Sequence, residues 1–292
     1  MTFELKKGGL RAAVQTKGGE LVSLRSGDGL EYIWEGDPAF WSGQNPVLFP
    51  IVGSLKDGTV NFDGKPYPMD RHGFARRSEF SLAEQGEDYV VLELRENEET
   101  LARYPYPFSL KVTHRLLDNG FSTTFTVKNT GTAPMPFCVG AHTAIRCPLR
   151  PGEQFENYEL VFEQPETADS LLLNPSGNIR HDGRKSMLND SATLPMDYSI
   201  FTEMDTVIFS ALRSGKVSLL HRGTGRGVCL DFHEFPMVAF WTNPGAPYLC
   251  LEPWQGCAAY DNESGEFRDK PFCAILPPGG EKSLTYAFYI VN

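Results

Sequence analysis

The sequence predicts an all-β fold, a large twisted antiparallel β-sandwich with few short helices. Three observations carry this expectation. Short apolar runs recur along the whole chain, and 28 glycines and 21 prolines punctuate them, as in a sandwich or barrel. Hairpin-type dipeptides, Asp63-Gly64 and Asn119-Gly120, fall between such runs. Helical periodicity is nearly absent, whereas an alternation of period two is plain in places.

Asp63-Gly64 follows Val60-Asn61-Phe62, and Asn119-Gly120 joins residues 110–117 to 121–127. Both dipeptides suit a type I′ turn, which needs positive φ at its two centres. In the arm that follows, Phe121, Thr123, Phe125 and Val127 share one face, and Ser122, Thr124 and Thr126 the other. Further strands are expected at 20–24, 89–95, 159–162, 206–212, 217–221, 228–233, 238–241, 248–252 and 284–291. Short helical turns are expected at Asp37-Pro38-Ala39-Phe40-Trp41, where Asp can cap and Pro can occupy the first turn, and around 98–103. Gly223-Thr224-Gly225-Arg226-Gly227 precedes a strand and no helix, so it reads as a hairpin turn and not a phosphate loop. With no repeat, low-complexity tract or linker, residues 1–292 read as a single domain.

Of the 292 residues, 41% are hydrophobic and 22% charged, enough for a full core. The net charge is −10 with no Lys/Arg run, which argues against a nucleic-acid partner. Apolar runs stay far below a membrane span. The N-terminus, Met1-Thr2-Phe3-Glu4-Leu5-Lys6-Lys7, lacks the apolar stretch of a signal peptide, so a cytoplasmic location is expected. Six cysteines without CxxC spacing then read as reduced thiols filling sheet cores, and no metal site is expected. Asn189-Asp190-Ser191 and Asn262-Glu263-Ser264 match the glycosylation pattern but mean nothing without export. No feature specifies an oligomeric state.

The residues with chemical promise are scattered. His72 lies in Arg71-His72-Gly73-Phe74-Ala75-Arg76, His142 in Gly140-Ala141-His142-Thr143, and Glu252 in Leu251-Glu252-Pro253-Trp254. A carboxylate can take a proton from a hydroxyl, and an imidazole can give one to an oxygen leaving group. Each has a plainer reading. A His beside Gly is often a hydrogen-bonded loop residue, and His142 can equally be a core histidine satisfied by backbone. A Glu ending a buried strand is costly unless paired or functional. Trp254 is either a sugar-stacking platform or a core aromatic. Asp205 suits turn or cap duty. Lys56, Arg71, Arg76 and Arg77 are basic residues near His72 in sequence, and Arg suits bidentate contact with hydroxyls or phosphate. His114, His181, His221 and His233 carry no partner signature and read as structural.

Taken in order, four segments resemble the aldose 1-epimerase (galactose mutarotase-like) superfamily, closest to its bacterial LacX-like branch. They are Pro46-Val47-Leu48-Phe49-Pro50-Ile51-Val52-Gly53 with Leu55-Lys56-Asp57-Gly58, then His72-Gly73-Phe74-Ala75-Arg76, then Gly140-Ala141-His142, then Glu252-Pro253-Trp254-Gln255-Gly256. The resemblance implies a twisted β-sandwich with an open cleft across one sheet, and interconversion of the α and β anomers of a hexose or hexose phosphate. Glu252 would be the general base, His142 the general acid and His72 a second histidine near the ring oxygen. Asp205 and Arg76 would bind the sugar, with no cofactor. Two departures stand out. Ser54 follows Gly53 where relatives carry Arg, for which Lys56 or Arg71 would substitute, and Thr143 follows His142 where relatives carry Pro. A non-catalytic sugar-binding or sensing protein on the same fold is the alternative. A glycoside hydrolase would show two facing carboxylates, whereas the motifs contain one.

Overall fold

The computed structural model describes residues 1–292 and is built around two large antiparallel sheets. The nine-stranded sheet runs, in spatial order, Ile179–Pro195, Tyr158–Leu173, Lys216–His221, Gly227–Asp231, Glu281–Val291, Gly120–Asn129, Phe108–Leu117, Tyr89–Arg95 and Ser81–Gln85. The six-stranded sheet runs Thr206–Ser210, Met237–Trp241 and Tyr248–Gln255. Both Val139–Ala141 and Thr143–Arg146 then lie along Tyr248–Gln255, and Val47–Leu48 pairs with Val139–Ala141.

Alternation builds these strands. Phe121, Thr123, Phe125 and Val127 are buried while Ser122, Thr124 and Thr126 are half-exposed, so the period of two predicts the inward face. The inward faces of the two sheets meet through aromatics. Phe162 of the large sheet packs edge-on to Phe209 and Phe240 of the smaller one, with ring centroids 5.9 and 6.4 Å apart. Phe49 packs on Phe108 at 5.0 Å. One contiguous apolar cluster reaches from Phe3 to Ile290. Truncating a fully buried member such as Phe49 to Ala would cost about 3–5 kcal/mol.

The turns divide the sequence expectations. Asp63 and Gly64 take φ of 51° and 77° between Thr59–Phe62 and Lys65–Pro68, as expected of a type I′ hairpin. The second hairpin differs. Its loop is Asp118-Asn119, Gly120 already pairs with Leu117, and none of the three has positive φ. Gly120 is needed for another reason: a Cβ there would lie 1.9 Å from the Phe288 carbonyl oxygen on the neighbouring strand.

Glu98–Leu101 is helical and carries a capping box with Asn97, in which Thr100 N–H donates to Asn97 Oδ1 at 2.9 Å. The Asp37–Trp41 segment forms only one hydrogen-bonded turn, closed by Asp37, whose side chain accepts from Ala39 N–H at 2.9 Å. The long hairpin Tyr158–Leu173 with Ile179–Pro195 carries four register shifts. Those bulges erase its alternation, which explains why the sequence marks only 159–162. No helix is long and apolar enough to cross a membrane.

Candidate functional site

The smaller sheet positions the site. Gly140 pairs with Trp254 and Thr143 with Leu251, which sets His142 directly opposite Glu252 although no ladder bond joins them. Pro253 has no N–H to give, so the ladder breaks there and the strand divides at His142. Directly opposed residues of an antiparallel pair project to one face with Cβ atoms about 4.5–5.5 Å apart. The side chains meet accordingly: His142 Nε2 lies 3.3 Å from Glu252 Oε1. Alternation puts Tyr248, Cys250, Glu252 and Trp254 on that same face, and pairing brings Trp241 beside Cys250 and Ala239 beside Glu252. Tyr248, Cys250, Trp34, Ala144 and Ala246 form a separate small apolar cluster, with Trp41 and Trp241 against it.

Over this face lies a chamber of about 210 Å³. Glu252, His142, His72, Asp205, Arg71, Arg76 and Trp254 all line it, so residues from four separate stretches of sequence converge. Lys56 does not. It is exposed on the turn Lys56–Gly58 and stands outside the chamber lining, which corrects the expectation that it substitutes for the arginine absent at position 54. Arg71 is the residue found beside Ser54. Its guanidinium lies against Gly177, where a Cβ would approach Arg71 Nη2 to 2.3 Å and Ser54 Oγ to 2.9 Å. Ser54 Oγ donates to the Gly177 carbonyl.

His72 is held firmly. Its backbone has φ of 66°, uncommon for a residue with a side chain. Its N–H donates to Gly53 O at 2.9 Å, and its Nδ1 accepts from Gly53 N–H at 3.1 Å. An Nδ1 that accepts fixes the neutral ring as the Nε2–H tautomer. Burial holds this imidazole well below its ordinary pKa, with His142, Arg76 and Arg71 adding to the effect. The His72 and His142 rings stand edge to face at 5.5 Å.

Burial pushes His142 down to about 3, with its own nearby backbone opposing, though not through an aligned hydrogen bond, and the charges of Arg76 and Arg71 adding to the fall. Burial raises Glu252 well above an ordinary carboxylate. The Trp254 indole N–H and Arg71 pull the other way, and Asp205 pushes it up further. The indole does so without an aligned hydrogen bond. The buried polar atoms that lack a partner concentrate here: Arg76 Nε, His142 Nδ1, Glu252 Oε2 and Trp254 Nε1 all belong to chamber-lining residues. Buried polar groups are normally satisfied, so such a concentration marks a place for a polar ligand.

Asp205 both caps and lines. It ends the helix Tyr198–Met204 with φ of 62° and accepts from Thr206 Oγ1 at 2.9 Å. Thr143 stays in the ladder and donates to buried Asn45 Oδ1 at 2.7 Å, so the departure from Pro leaves His142 in place. Trp254 is only 4% exposed and lies too deep for an open stacking platform. The half-buried aromatics of the chamber are Trp41 and Trp241, which the sequence did not single out. Trp41 lies 4.8 Å from the His142 ring and 5.3 Å from Trp241. Only the sheet pairing puts Trp241 on the side of Glu252. Cys250 adds a thiol: its ligand atom and those of His142 and Glu252 lie within 4.8 Å of one another. Burial, with the Glu252 charge adding, raises that thiol well above its ordinary value and keeps it protonated.

The family model for aldose 1-epimerase matches residues 1–289. The chain is 36% identical to protein LacX of Lactococcus lactis subsp. lactis over the whole of both chains. It superposes on a galactose mutarotase related enzyme from Lactobacillus acidophilus with a TM-score of 0.94 and 28% identity, covering 100% of this chain and 98% of that one. A galactose mutarotase-like protein from Lactobacillus casei matches with a TM-score of 0.88 and 26% identity over the full length of both. On this sequence coverage and this fold, the chain belongs to the aldose 1-epimerase family and has the galactose mutarotase-like β-sandwich architecture.

Proposed function

We propose that the protein is an aldose 1-epimerase that interconverts the α and β anomers of a hexose by acid–base ring opening. The observation that carries this reading is the cross-strand pair His142–Glu252 at 3.3 Å within a chamber whose lining holds unpartnered polar atoms. Glu252 takes the proton of the C1 hydroxyl while His142 protonates the ring oxygen, and the C1–O5 bond breaks. The open-chain aldehyde turns about C1–C2, and the reverse transfers close the ring on the other face. His72 offers its Nε2–H to a sugar oxygen, and Arg76, Arg71 and Asp205 engage the remaining hydroxyls.

The proton count is consistent with this cycle. Carboxylate with imidazolium before ring opening, and carboxylic acid with neutral imidazole after it, hold the same single proton. The directions of the two shifts, Glu252 up and His142 down, keep that one proton on the pair over a wide pH range. They also favour the second distribution when no sugar is bound. Acid and base each contribute about 10²–10⁴-fold, and positioning adds more. The test is anomer exchange on freshly dissolved α-sugar, followed by NMR or polarimetry. Rate enhancement by the protein, lost in Glu252→Gln, supports the reading. Sugar binding without any enhancement would replace it with a sugar-binding or sensing role.

A further inference from the structure

Away from the chamber, the chain brings two thiols to opposite positions of one ladder. Cys138 immediately precedes Val139–Ala141, the strand that leads to His142. Gly256, just past Tyr248–Gln255, packs on it so closely that a Cβ there would lie 2.4 Å from both Cys138 Cβ and Sγ. Before Cys138, the strand Met135–Phe137 pairs with Ala274–Leu276, with Phe137 opposite Ala274. Carried one residue further, that register sets Cys138 opposite Cys273. Cys273 Sγ accordingly lies 3.7 Å from the carbonyl oxygen of Phe137.

The kind of opposition follows from the backbone. Antiparallel partners alternate between hydrogen-bonded and non-hydrogen-bonded pairs. Pro136, opposite Ile275, has no N–H and cannot exchange both bonds. Cys138, two positions on, belongs to the same class. Its N–H turns away and donates to Pro50 O at 2.8 Å, while the Cys273 N–H donates to Lys270 O at 3.2 Å. Opposed residues of a non-hydrogen-bonded pair have Cα atoms about 4.5 Å apart and project to one face. That spacing falls at the short end of the roughly 4.4–6.8 Å a disulfide spans, where the bond forms yet is readily reduced. Cys273 is also the neighbour that most raises the Cys138 thiol above its ordinary value, with burial adding.

The thiols of this corner are not equivalent. Cys273 is half-buried, whereas Cys138 and Cys257 are buried. Cys257 Sγ donates to Pro271 O at 3.7 Å. Lys270 is buried and paired with Glu263 at 3.1 Å, and its charge pulls the Cys138 thiol down against burial. A cation beside a thiol favours the thiolate. Cys273 is therefore where a dissolved reagent enters, and Cys138 is the thiol that answers from inside.

We propose that Cys138 and Cys273 form a reversible dithiol–disulfide site whose co-reactant is a low-molecular-weight disulfide, RSSR. The Cys273 thiolate attacks one sulfur of RSSR, releases RS⁻ and becomes a mixed disulfide. The Cys138 thiolate then attacks Cys273 Sγ and displaces the second RS⁻. The two thiol protons end on the two RS⁻ groups. Two protein thiols are oxidised to one S–S bond, and RSSR is reduced to two RSH. The bond clasps the segment after Lys270 to the strand leading into the site. The pairing of Val139 with Gln255 and of Gly140 with Trp254 is untouched, so His142 and Glu252 keep their places.

The test treats the reduced full chain with oxidised glutathione, followed by thiol counting and peptide mass spectrometry without reductant. Two of the six thiols should disappear into a Cys138–Cys273 linkage that dithiothreitol reverses. Cys138→Ser should stop at a lasting glutathione adduct on Cys273, and Cys257→Ser should form the bond as the parent does. The melting temperature of the oxidised chain should be no lower than that of the reduced one. Retention of all six thiols, a bond from Cys138 to Cys257, or an unresolved adduct in the parent would each overturn the site. So would a fall in melting temperature on oxidation, which would mean that the bond forms only in an opened chain. Hexose exchange should be the same in both forms. Its absence in both would sink the acid–base reading and leave the thiol site standing.

Discussion

His114 and His142 are both buried imidazoles on strands or at strand breaks, yet their surroundings are arranged oppositely. His114 has both ring nitrogens occupied, Nδ1 with Thr123 Oγ1 at 2.9 Å and Nε2 with Gly19 O at 2.8 Å. His142 has one nitrogen facing a carboxylate and the other without a partner. The buried glutamates repeat the contrast. One oxygen of Glu166 accepts from both the N–H and the hydroxyl of Ser214 at 2.7 Å, and its other oxygen faces Arg213. Glu252 keeps Oε2 unpartnered. Satisfied polar groups lock a core in place, whereas unsatisfied ones retain capacity that a ligand can use. Burial alone therefore does not separate structural from functional side chains; the accounting of their hydrogen bonds does.

The largest test of this contrast is Glu252→Gln. Shape is kept and basicity lost, so kcat for anomer exchange should fall by about 10³-fold or more, while the melting temperature moves little. Near-normal turnover would remove Glu252 from the mechanism. The paired substitutions His142→Asn and His114→Phe come next, and they should split cleanly. His142→Asn should lose about 10²-fold in rate with modest loss of stability. His114→Phe should keep its rate but lose about 1–3 kcal/mol, because the Gly19 carbonyl and Thr123 hydroxyl are left unpaired. Equal loss of rate in both would erase the distinction.

Acid offers a third test. Burial holds His114 down at about 4, below the roughly 6.5 of an unfolded histidine. Between these values the unfolded chain binds the extra proton, so stability falls as pH is lowered from about 6.5 to about 4 and is fully present above that window. Replacing His114 by Phe should make this limb shallower in thermal melts across pH, with His72 and His142, also held down by burial, carrying the remainder. His142, lowered to about 3 in the sugar-free protein, should leave kcat/KM with no acid limb near 6.5, and an inflection there would contradict the shared-proton pair.

Smaller effects follow at the chamber rim. Asp205→Asn and Arg71→Ala should raise KM for hexoses several-fold with kcat largely kept, since both residues bind and neither transfers a proton. A collapse of kcat in Asp205→Asn would instead favour a chemistry with two carboxylates. Chelator and thiol reductant should change the exchange rate least of all. The protonated thiol of Cys250 makes the His142–Cys250–Glu252 cluster a weak metal ligand set. Inactivation by chelation, reversed by one metal, would show otherwise.

Much of this site was legible in the sequence because its marks are local. A glutamate closing an apolar run, and histidines beside glycine, carry their signals within a few residues. The alternating strands were legible for the same reason, since Phe121 to Val127 announce their inward face unaided. What remained hidden depends on register between distant segments. His142 opposes Glu252 only because two strands 110 positions apart align, and Pro253 marks where their ladder breaks. Trp41 and Trp241 reach the chamber through pairing and a turn, and Gly177 belongs to a hairpin tip whose strands are bulged out of any period. Asn119-Gly120 misled for a physical reason. The glycine serves the close approach of a third strand, which the dipeptide cannot reveal.

The bond from Ser54 Oγ to the Gly177 carbonyl spans 123 positions of chain, and the chamber wall as a whole draws on residues from Trp41 to Ala258. Loops so far apart close late, since each long-range contact is formed only after the chain entropy of the intervening segment has been given up. A bound sugar would act as an additional tie among these segments. It would stabilise the folded chain by RT ln(1 + [L]/Kd), about 2.7 kcal/mol at a hundredfold excess over Kd. Ligand recognition is thereby coupled to the unfolding rate and the melting temperature. The protein's own heat resistance becomes a readout of which sugar it holds, independent of whether any anomer is exchanged.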